Sequence, residues 1–197
     1  MSNDTSGKDR SIYVEPGKEF HYSGGAFEYL RYVLEQLTNA PFDEYMESNI
    51  LEPLGMDHST FYIMSKGKKY VSAAGGLVST PEEICRFFIE LMNPTHIKPE
   101  TVALMFTDIK QRDEHNAWGL GIGVQRNNDD LVIWHTGNNG NLWESLAYFD
   151  VNSRTGVVIM TKGKYGYKIC QNIIHYAIGG SFYGLGNTIN GTALKRK

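Results

Sequence analysis

The stretch LVIWHTGNNG, from Leu131 to Gly140, decides how the fold of this chain is interpreted. Its first four residues are apolar and predict a short strand, while the next six are polar or glycine and predict a corner. His135 can gain or lose a proton near neutral pH, Thr136 supplies a hydroxyl, and Gly137 lets a backbone or a ligand approach closely. Taken alone, the stretch is more typical of a hairpin end with a solvated histidine than of a functional site.

The spacing of apolar residues around this stretch changes once along the chain. Before about residue 117 they recur at helical spacing, and after it they form short runs separated by turn residues. Helices are predicted at about 26–38, 41–49, 81–92, 99–106 and 167–178. Strands are predicted at Trp118–Val124, Leu131–Trp134, Ser145–Asp150 and Gly156–Thr161. Short turns between such strands predict an antiparallel meander.

These elements predict an α+β fold in which a helical region packs on an antiparallel sheet. Residues 1–12 are rich in Ser, Asp, Asn and Lys, and we expect a disordered leader there. Residues 13–116 form the mainly helical region, and residues 117–197 form the sheet with its C-terminal helix. Because 197 residues suffice for one sizeable domain or two small layers, we expect 13–197 to be one interdependent domain.

The composition is that of an ordinary soluble globular protein, and it excludes several classes of function. With 21% charged residues and a net charge of −3, the chain lacks the basic surface that would attract nucleic acid or an anionic membrane. No apolar run approaches the roughly 20 residues of a membrane span. The start, MSNDTSGKDR, lacks the apolar core of a signal peptide.

The cysteines and histidines show no spacing typical of a metal site. Cys85 and Cys170 lie 85 positions apart inside helical patterns, which favours two buried, reduced thiols. The histidines outside the opening stretch share no ligand spacing; they are His21, His58, His96, His115 and His175. We therefore expect no metal and no cofactor. Glu144 is expected to be a solvated carboxylate.

Five segments, taken in order, resemble one protein family. They are PGKEFHYSGGAF, LEPLGMDHSTF, AAGGLVSTPEEICRFF, WGLGIGV and WHTGNNG. Together they are similar to the serine β-lactamase and penicillin-binding-protein superfamily, especially its branch of class C β-lactamases, D-alanyl-D-alanine carboxypeptidases and esterases. The resemblance runs from about Val14 to Ile178, and the ordered set is far more specific than any single motif. It implies a β-lactamase/transpeptidase-like fold and acyl-enzyme hydrolysis of a β-lactam, a D-amino peptide or an ester.

The resemblance also implies a site of three parts, two of which are recognisable here. The family's Tyr-x-Asn motif supplies a proton relay, and the stretch YSG at Tyr22 matches its tyrosine but not its asparagine. The family's Lys/His-Thr/Ser-Gly motif pairs with the substrate backbone at a sheet edge, and here it is the stretch HTG at His135. The N–H of the following residue would form half of an oxyanion hole. The implied catalytic residues are Tyr22 and His135, and the implied substrate-binding residues are Thr136, Gly137 and Asn138.

The third part is Ser-x-x-Lys, in which a lysine one helical turn away shares the proton of the acylated serine. Family members carry it many tens of residues before the tyrosine motif, and here only 21 residues precede Tyr22. The sole match, Ser65 to Lys68, follows the tyrosine and contains a glycine that disfavours a helix. Ser23 has no lysine positioned to activate it and is more typical of a solvated or helix-capping serine. The nucleophile is therefore not found in this chain.

The resemblance further implies a sheet that is incomplete on its N-terminal side. Family members add strands from earlier in the chain beside the last strand, here Gly156–Thr161. An open apolar edge invites pairing with another chain, as a homodimer or a domain swap. Three interpretations stay open: a serine hydrolase whose nucleophile is supplied by sequence absent here, a non-catalytic binder of peptides or acyl compounds, and a truncated fragment. Relatives are often exported, yet this chain carries no export signal, so its compartment stays open.

Overall fold

The computed structural model describes Glu15, Gly17, Lys18 and residues 21–107, 109–127, 130–140, 142–163 and 165–183. The leader predicted at 1–12 lies outside the described residues. Contacts divide the chain into two compact units, Met1–His96 and Ile97–Lys197. Helices and antiparallel strands are both present, which confirms the α+β prediction. The expectation of one interdependent domain over 13–197 stays a prediction.

The first unit is mainly helical. Its elements are α1 (Gly24–Thr38), α2 (Phe42–Met46) with a π-helical turn after it (Glu47–Leu51), β1 (Tyr62–Ser65), β2 (Lys68–Val71) and α3 (Pro81–Met92). Helix α1 begins where the Ser23 hydroxyl accepts a hydrogen bond from the Ala26 N–H at 3.2 Å. Helix α3 begins in the same manner, with Thr80 as the N-cap and Pro81 as the first helical residue.

The second unit is a six-stranded antiparallel sheet with α4 (Pro99–Met105) before it and α5 (Gly166–Ile178) after it. Its strands are β3 (Lys110–Gln111), β4 (Asn116–Trp118), β5 (Gly123–Asn127), β6 (Asp130–Asn139), β7 (Trp143–Asp150) and β8 (Thr155–Lys162). They lie side by side in chain order, so the sheet is the predicted meander.

The strand predicted at Trp118–Val124 is wrong, because the structure divides this segment between two strands. The Gly119 N–H donates to the Ile122 carbonyl at 2.9 Å and closes the turn between them. Gly121 has a φ of 75°, in the left-handed region that glycine adopts without strain. Gly119 and Gly121 of WGLGIGV thus turn the chain, and Gly123 begins the next strand.

Helix α5 and one face of the sheet form the core of the second unit. Cys170 and Ile174 of α5 have no exposed surface, and they belong to a buried cluster with Trp134 and other strand residues. The Trp134 indole lies over Gly123, where an added Cβ would come within 2.3 Å of the ring. This packing fixes β6 immediately before His135. Neither cysteine is in a disulfide; Cys170 is buried and Cys85 is half-buried.

No helix in the described part of the chain combines the length and the apolar character that crossing a membrane requires.

Candidate active site

Strand β6 continues beyond the predicted strand and contains the whole HTG motif. The ladder between β5 and β6 ends at the pair Gly123↔Trp134. The ladder between β6 and β7 continues to Asn139↔Trp143. From His135 to Gly137, β7 is therefore the single pairing strand among the described residues. The opposite backbone edge of this segment has the geometry of a sheet edge to which an extended ligand can add.

His135 lies at the start of this edge, where its side chain is half-buried. Its ring contacts the Trp118 indole edge-on, with 5.9 Å between the ring centroids. Burial lowers the pKa of the His135 imidazole below its usual value of 6.5. The imidazole is therefore neutral at neutral pH. Where the family motif carries a cationic lysine, this chain presents a neutral hydrogen-bonding group.

Because the pKa of His135 is lowered in the folded chain, lowering the pH should reduce the free energy of unfolding. Because the folded chain binds a proton at His135 less readily than the unfolded chain, the free energy of unfolding should fall as the pH drops from 6.5 toward the lowered pKa. One proton gives a slope of at most about 1.4 kcal/mol per pH unit. Urea unfolding between about pH 5 and pH 8 measures the slope. His135→Gln should reduce it, and His175→Gln, at an exposed α5 residue, should not. Equal slopes in all three proteins would contradict this prediction.

Thr136 and Gly137 lie on opposite faces of β6, because successive strand residues alternate. Thr136 pairs with buried Leu146, whose face is covered by α5, so its side chain belongs to the helix-covered face. At Gly137 an added Cβ would lie 2.6 Å from the Ser145 hydroxyl oxygen. The neighbouring strand therefore accounts for this glycine without any ligand. The Gly137 carbonyl accepts a hydrogen bond from the Tyr167 hydroxyl at 2.7 Å.

Asn138 follows the motif, and its side chain reaches Glu144 on β7. The Asn138 side-chain amide donates to Glu144 at 3.3 Å, and the Tyr167 backbone N–H, in the first turn of α5, donates to the same carboxylate at 2.9 Å. Glu144 is only 4% exposed, so the expectation of a solvated carboxylate is wrong. The Glu144 carboxylate joins the end of the motif to the positive N-terminus of a helix, which is a favourable place for an anion.

The alternation of residues along β7 is a sequence signal that predicts the burial of Glu144. Glu144, Leu146 and Tyr148 are alternate residues of β7, and the last two are apolar and buried. Period-two alternation places Glu144 on the same inner face. Tyr167 carried no comparable signal, because its contact with Gly137 joins residues 30 positions apart.

Tyr22, the second candidate catalytic residue, belongs to the first unit. It immediately precedes the N-cap of α1, and 57% of its surface is exposed. Ser23 beside it is 8% exposed and caps the helix, which confirms the capping interpretation. The structure thus places four of the five candidate residues consecutively on β6 and the fifth at a helix start in the other unit.

The sole Ser-x-x-Lys match lies in a β-hairpin. Ser65 and Lys68 face each other across the β1–β2 ladder. Lys66 and Gly67 connect them with φ angles of 49° and 73°, the left-handed region that two-residue hairpin turns require. The prediction that this stretch is not helical is confirmed, and the lysine does not lie one helical turn from the serine.

Solved structures similar to this chain include a penicillin-binding protein, an amidohydrolase and an amidase. A penicillin-binding protein from Bacillus halodurans matches with a TM-score of 0.72 and 19% identity, over 84% of this chain and 59% of that chain. A D-stereospecific amidohydrolase from a Streptomyces species matches with a TM-score of 0.70 and 17% identity, over 85% and 57%. A D-amino acid amidase from Ochrobactrum anthropi SV3 matches with a TM-score of 0.65 and 19% identity, over 78% and 53%. These similarities confirm the β-lactamase/transpeptidase-like fold.

Sequence relatives agree with this fold. A protein of Salmonella paratyphi B, provisionally named a D-alanyl-D-alanine carboxypeptidase, is 33% identical over 60 residues, which are 30% of this chain and 14% of that protein. This chain therefore matches only a small part of that relative and spans little more than half of the three solved chains. The model of the Beta-lactamase family matches residues 9–171, which is most of the sequence. The chain belongs to the Beta-lactamase family.

Proposed function

We propose that this chain binds the acyl part of an amide or ester along strand β6, as part of a serine hydrolase that works through an acyl-enzyme. The supporting observation is the backbone edge from His135 to Gly137, which extends past β5. The backbone of a substrate adds to such an edge through N–H and C=O groups, and neighbouring side chains then select among ligands. The carbonyl to be attacked is held at the end of this edge.

The candidate residues have distinct roles in this proposal. Tyr22 relays a proton, and the neutral His135 orients the substrate through a hydrogen bond. The Asn138 N–H supplies half of an oxyanion hole. Thr136 contributes through its backbone, because its side chain shares the helix-covered face with Leu146. Gly137 lets β6 lie close to the Ser145 side chain.

The substrate class is proposed from the chemistry that similar proteins carry in their names. These names include a D-stereospecific amidohydrolase, a D-amino acid amidase and a penicillin-binding protein. We propose a β-lactam, a D-amino peptide or an ester as the substrate. Each of these presents an acyl carbonyl, and a D-amino peptide also presents the extended backbone that a strand edge binds.

A second candidate function is non-catalytic binding of the same compounds. It is favoured by the hairpin at Ser65 and Lys68, since that geometry leaves the one Ser-x-x-Lys match without a helix. Acylation in the family needs a serine activated by a neighbouring lysine. On this chain alone we therefore expect binding without turnover, and we expect catalysis once a Ser-x-x-Lys segment is supplied.

Incubation with a fluorescent penicillin and a fluorophosphonate tests both candidates. Fluorescence anisotropy should show reversible binding of the penicillin, and intact-protein mass spectrometry should show no adduct with either reagent. His135→Ala should weaken binding about tenfold, the loss of roughly one good hydrogen bond. His175→Ala, at an exposed residue of α5, is the matched control and should not change it. A stoichiometric adduct on a serine would refute the absence of a nucleophile, and no binding at all would refute the proposed site.

We propose two kinds of partner for this chain. One is the small-molecule or peptide substrate at β6. The other is a polypeptide strand at the outer edge of β8, which contains the predicted open strand Gly156–Thr161.

A further inference from the structure

The register of β6 decides which of its residues point their backbone groups toward β7. In an antiparallel ladder, residues whose N–H and C=O groups point to the same neighbour alternate along the strand. The Val151 N–H donates to the Leu131 carbonyl at 2.9 Å, and this pair continues the β6–β7 register. Every second residue from Leu131 therefore points to β7, which includes Gly137 opposite Ser145. The backbone groups of Asn138 point the other way, toward the edge that extends past β5.

The Gly137 carbonyl and the Asn138 N–H belong to the same peptide unit. A trans peptide unit is planar, so its carbonyl and its N–H point in opposite directions and turn together. A group that fixes the Gly137 carbonyl therefore also sets the direction of the Asn138 N–H. This direction determines how well the N–H can donate to a carbonyl oxygen on which negative charge develops.

Tyr167 of α5 holds the carbonyl of this peptide unit. Its hydroxyl donates to the Gly137 carbonyl at 2.7 Å, and its side chain is half-buried. A carbonyl oxygen has two lone pairs, so it can accept this bond in addition to a ladder bond from Ser145. A hydrogen bond to the carbonyl also polarises the peptide unit and strengthens its N–H as a donor, by about 10–30% per bond.

The buried carboxylate of Glu144 connects Tyr167 back to Asn138. Its Oε2 accepts a hydrogen bond from the Tyr167 backbone N–H at 2.9 Å, and its Oε1 accepts one from the Asn138 side-chain amide at 3.3 Å. With the Tyr167 hydroxyl, these bonds form a closed circuit through Gly137 and Asn138, the two residues that share the peptide unit. A rotation of that unit would strain or break bonds on both sides of it.

We propose that Tyr167 is a positioning residue of the candidate site, which aims and polarises the Asn138 N–H by bonding to the carbonyl of the same peptide unit. Glu144 supports it by holding the Tyr167 backbone and the Asn138 side chain. The inference rests on the proposed function, in which the Asn138 N–H binds the carbonyl oxygen of an acyl compound. Tyr167 acts through the strand and does not itself contact the compound.

Nuclear magnetic resonance of the ligand-free chain tests the positioning directly. Tyr167→Phe removes the hydroxyl and keeps the ring, so it isolates one hydrogen bond. The amide nitrogen and proton resonances of Asn138 should shift, because their shielding depends on the hydrogen bond to the carbonyl of the same peptide unit. Tyr176→Phe is the matched control, since Tyr176 lies on the same helix and is 83% exposed, and it should leave Asn138 unchanged. An Asn138 resonance that Tyr167→Phe does not move would overturn the proposal.

Binding of the fluorescent penicillin tests the consequence for the ligand. Tyr167→Phe should raise the dissociation constant about two- to fivefold, as expected when one hydrogen bond is weakened and not removed. Tyr176→Phe should leave the dissociation constant unchanged, and circular dichroism shows whether both variants are folded. Equal affinities of wild type and Tyr167→Phe would contradict the proposal. If the wild-type chain binds no penicillin, the proposed function fails, while the Asn138 resonance still decides whether Tyr167 sets the direction of the peptide unit.

Discussion

Replacing Glu83 by alanine should lower the free energy of unfolding by about 2–4 kcal/mol. Glu83 is 3% exposed, and its carboxylate accepts three hydrogen bonds. Two come from His58, through its backbone N–H at 2.8 Å and its ring Nδ1 at 2.9 Å, and one comes from the Ser59 hydroxyl at 2.6 Å. Alanine would leave these donors without their acceptor beside the N-terminus of α3. The loss is most costly at the Ser59 hydroxyl, which is only 7% exposed, whereas the exposed His58 ring can bind water instead.

The effect of Glu83 should also depend on pH. Burial acts to raise the pKa of Glu83, but the hydrogen bonds from Ser59 and His58 outweigh it and hold the pKa below 4.5. A carboxylate with a lowered pKa stabilises the fold above its unfolded pKa, and this stabilisation is lost as the pH falls through the folded pKa. The difference between wild type and Glu83→Ala should therefore be constant near neutral pH and shrink below about pH 4.5.

Denaturant unfolding at several pH values, followed by circular dichroism, measures both effects. Glu82→Ala is the matched control, because Glu82 occupies the same helix turn with 77% of its side chain exposed and pairs with Arg86 on the surface. Its loss should cost less than about 1 kcal/mol. If Glu83→Ala and Glu82→Ala destabilise the protein equally, the hydrogen bonds from Glu83 to His58 and Ser59 do not stabilise the fold as predicted.

The second large effect is expected at Glu144 in the other unit. Glu144→Ala should lower the free energy of unfolding by about 1–3 kcal/mol, because the Tyr167 N–H and the Asn138 amide lose a charged acceptor. Space there is closely filled: a Cβ on Gly166 would come within 2.7 Å of the Glu144 carboxylate. Glu144→Gln fills the same volume and keeps one acceptor oxygen, so it should cost less.

The thiol of Cys170 reports separately on the charge of Glu144. Burial, and then the negative charge of Glu144, raise the pKa of Cys170 to about 11. Both Glu144→Ala and Glu144→Gln remove the charge and should lower this pKa, although only the first should strongly destabilise the fold. Ultraviolet absorbance of the thiolate gives the titration, with Glu114→Ala as an exposed control. An unchanged thiol pKa in both variants would show that the carboxylate exerts no field at Cys170.

The sequence predicted those helix boundaries that are set by residues close together along the chain. The order Thr80, Pro81, Glu83 is typical of a helix start, and the Glu83 N–H does donate to the Thr80 hydroxyl at 3.3 Å. The Glu83 carboxylate, in contrast, bonds to His58 and Ser59, which lie 25 and 24 positions away. Spacing along a helix carries no information about such a distant partner. The helix cap was therefore predictable, and the hydrogen bonds of the Glu83 carboxylate were not.

The residues of the candidate site were predictable from the sequence, but their surroundings in the fold were not. The HTG motif at His135 and its neighbouring residues were recognisable as a unit. The extension of β6 through the motif was not, because Gly137 and Asn138 read as turn residues when the ladder to β7 is unknown. The burial of His135, which makes its imidazole neutral, depends on Trp118 from another strand and also lay beyond local reasoning.

The segment of β6 that extends past β5 also sets a length for the ligand. The five residues from His135 to Asn139 pair with β7 but not with β5, and they span about 16 Å at the rise of an extended strand. Under the proposed function, a bound chain of up to about five residues would pair its backbone along this edge. Additional residues would project past the strand without gaining hydrogen bonds from it. The proposed site would therefore favour short acyl compounds over long peptides.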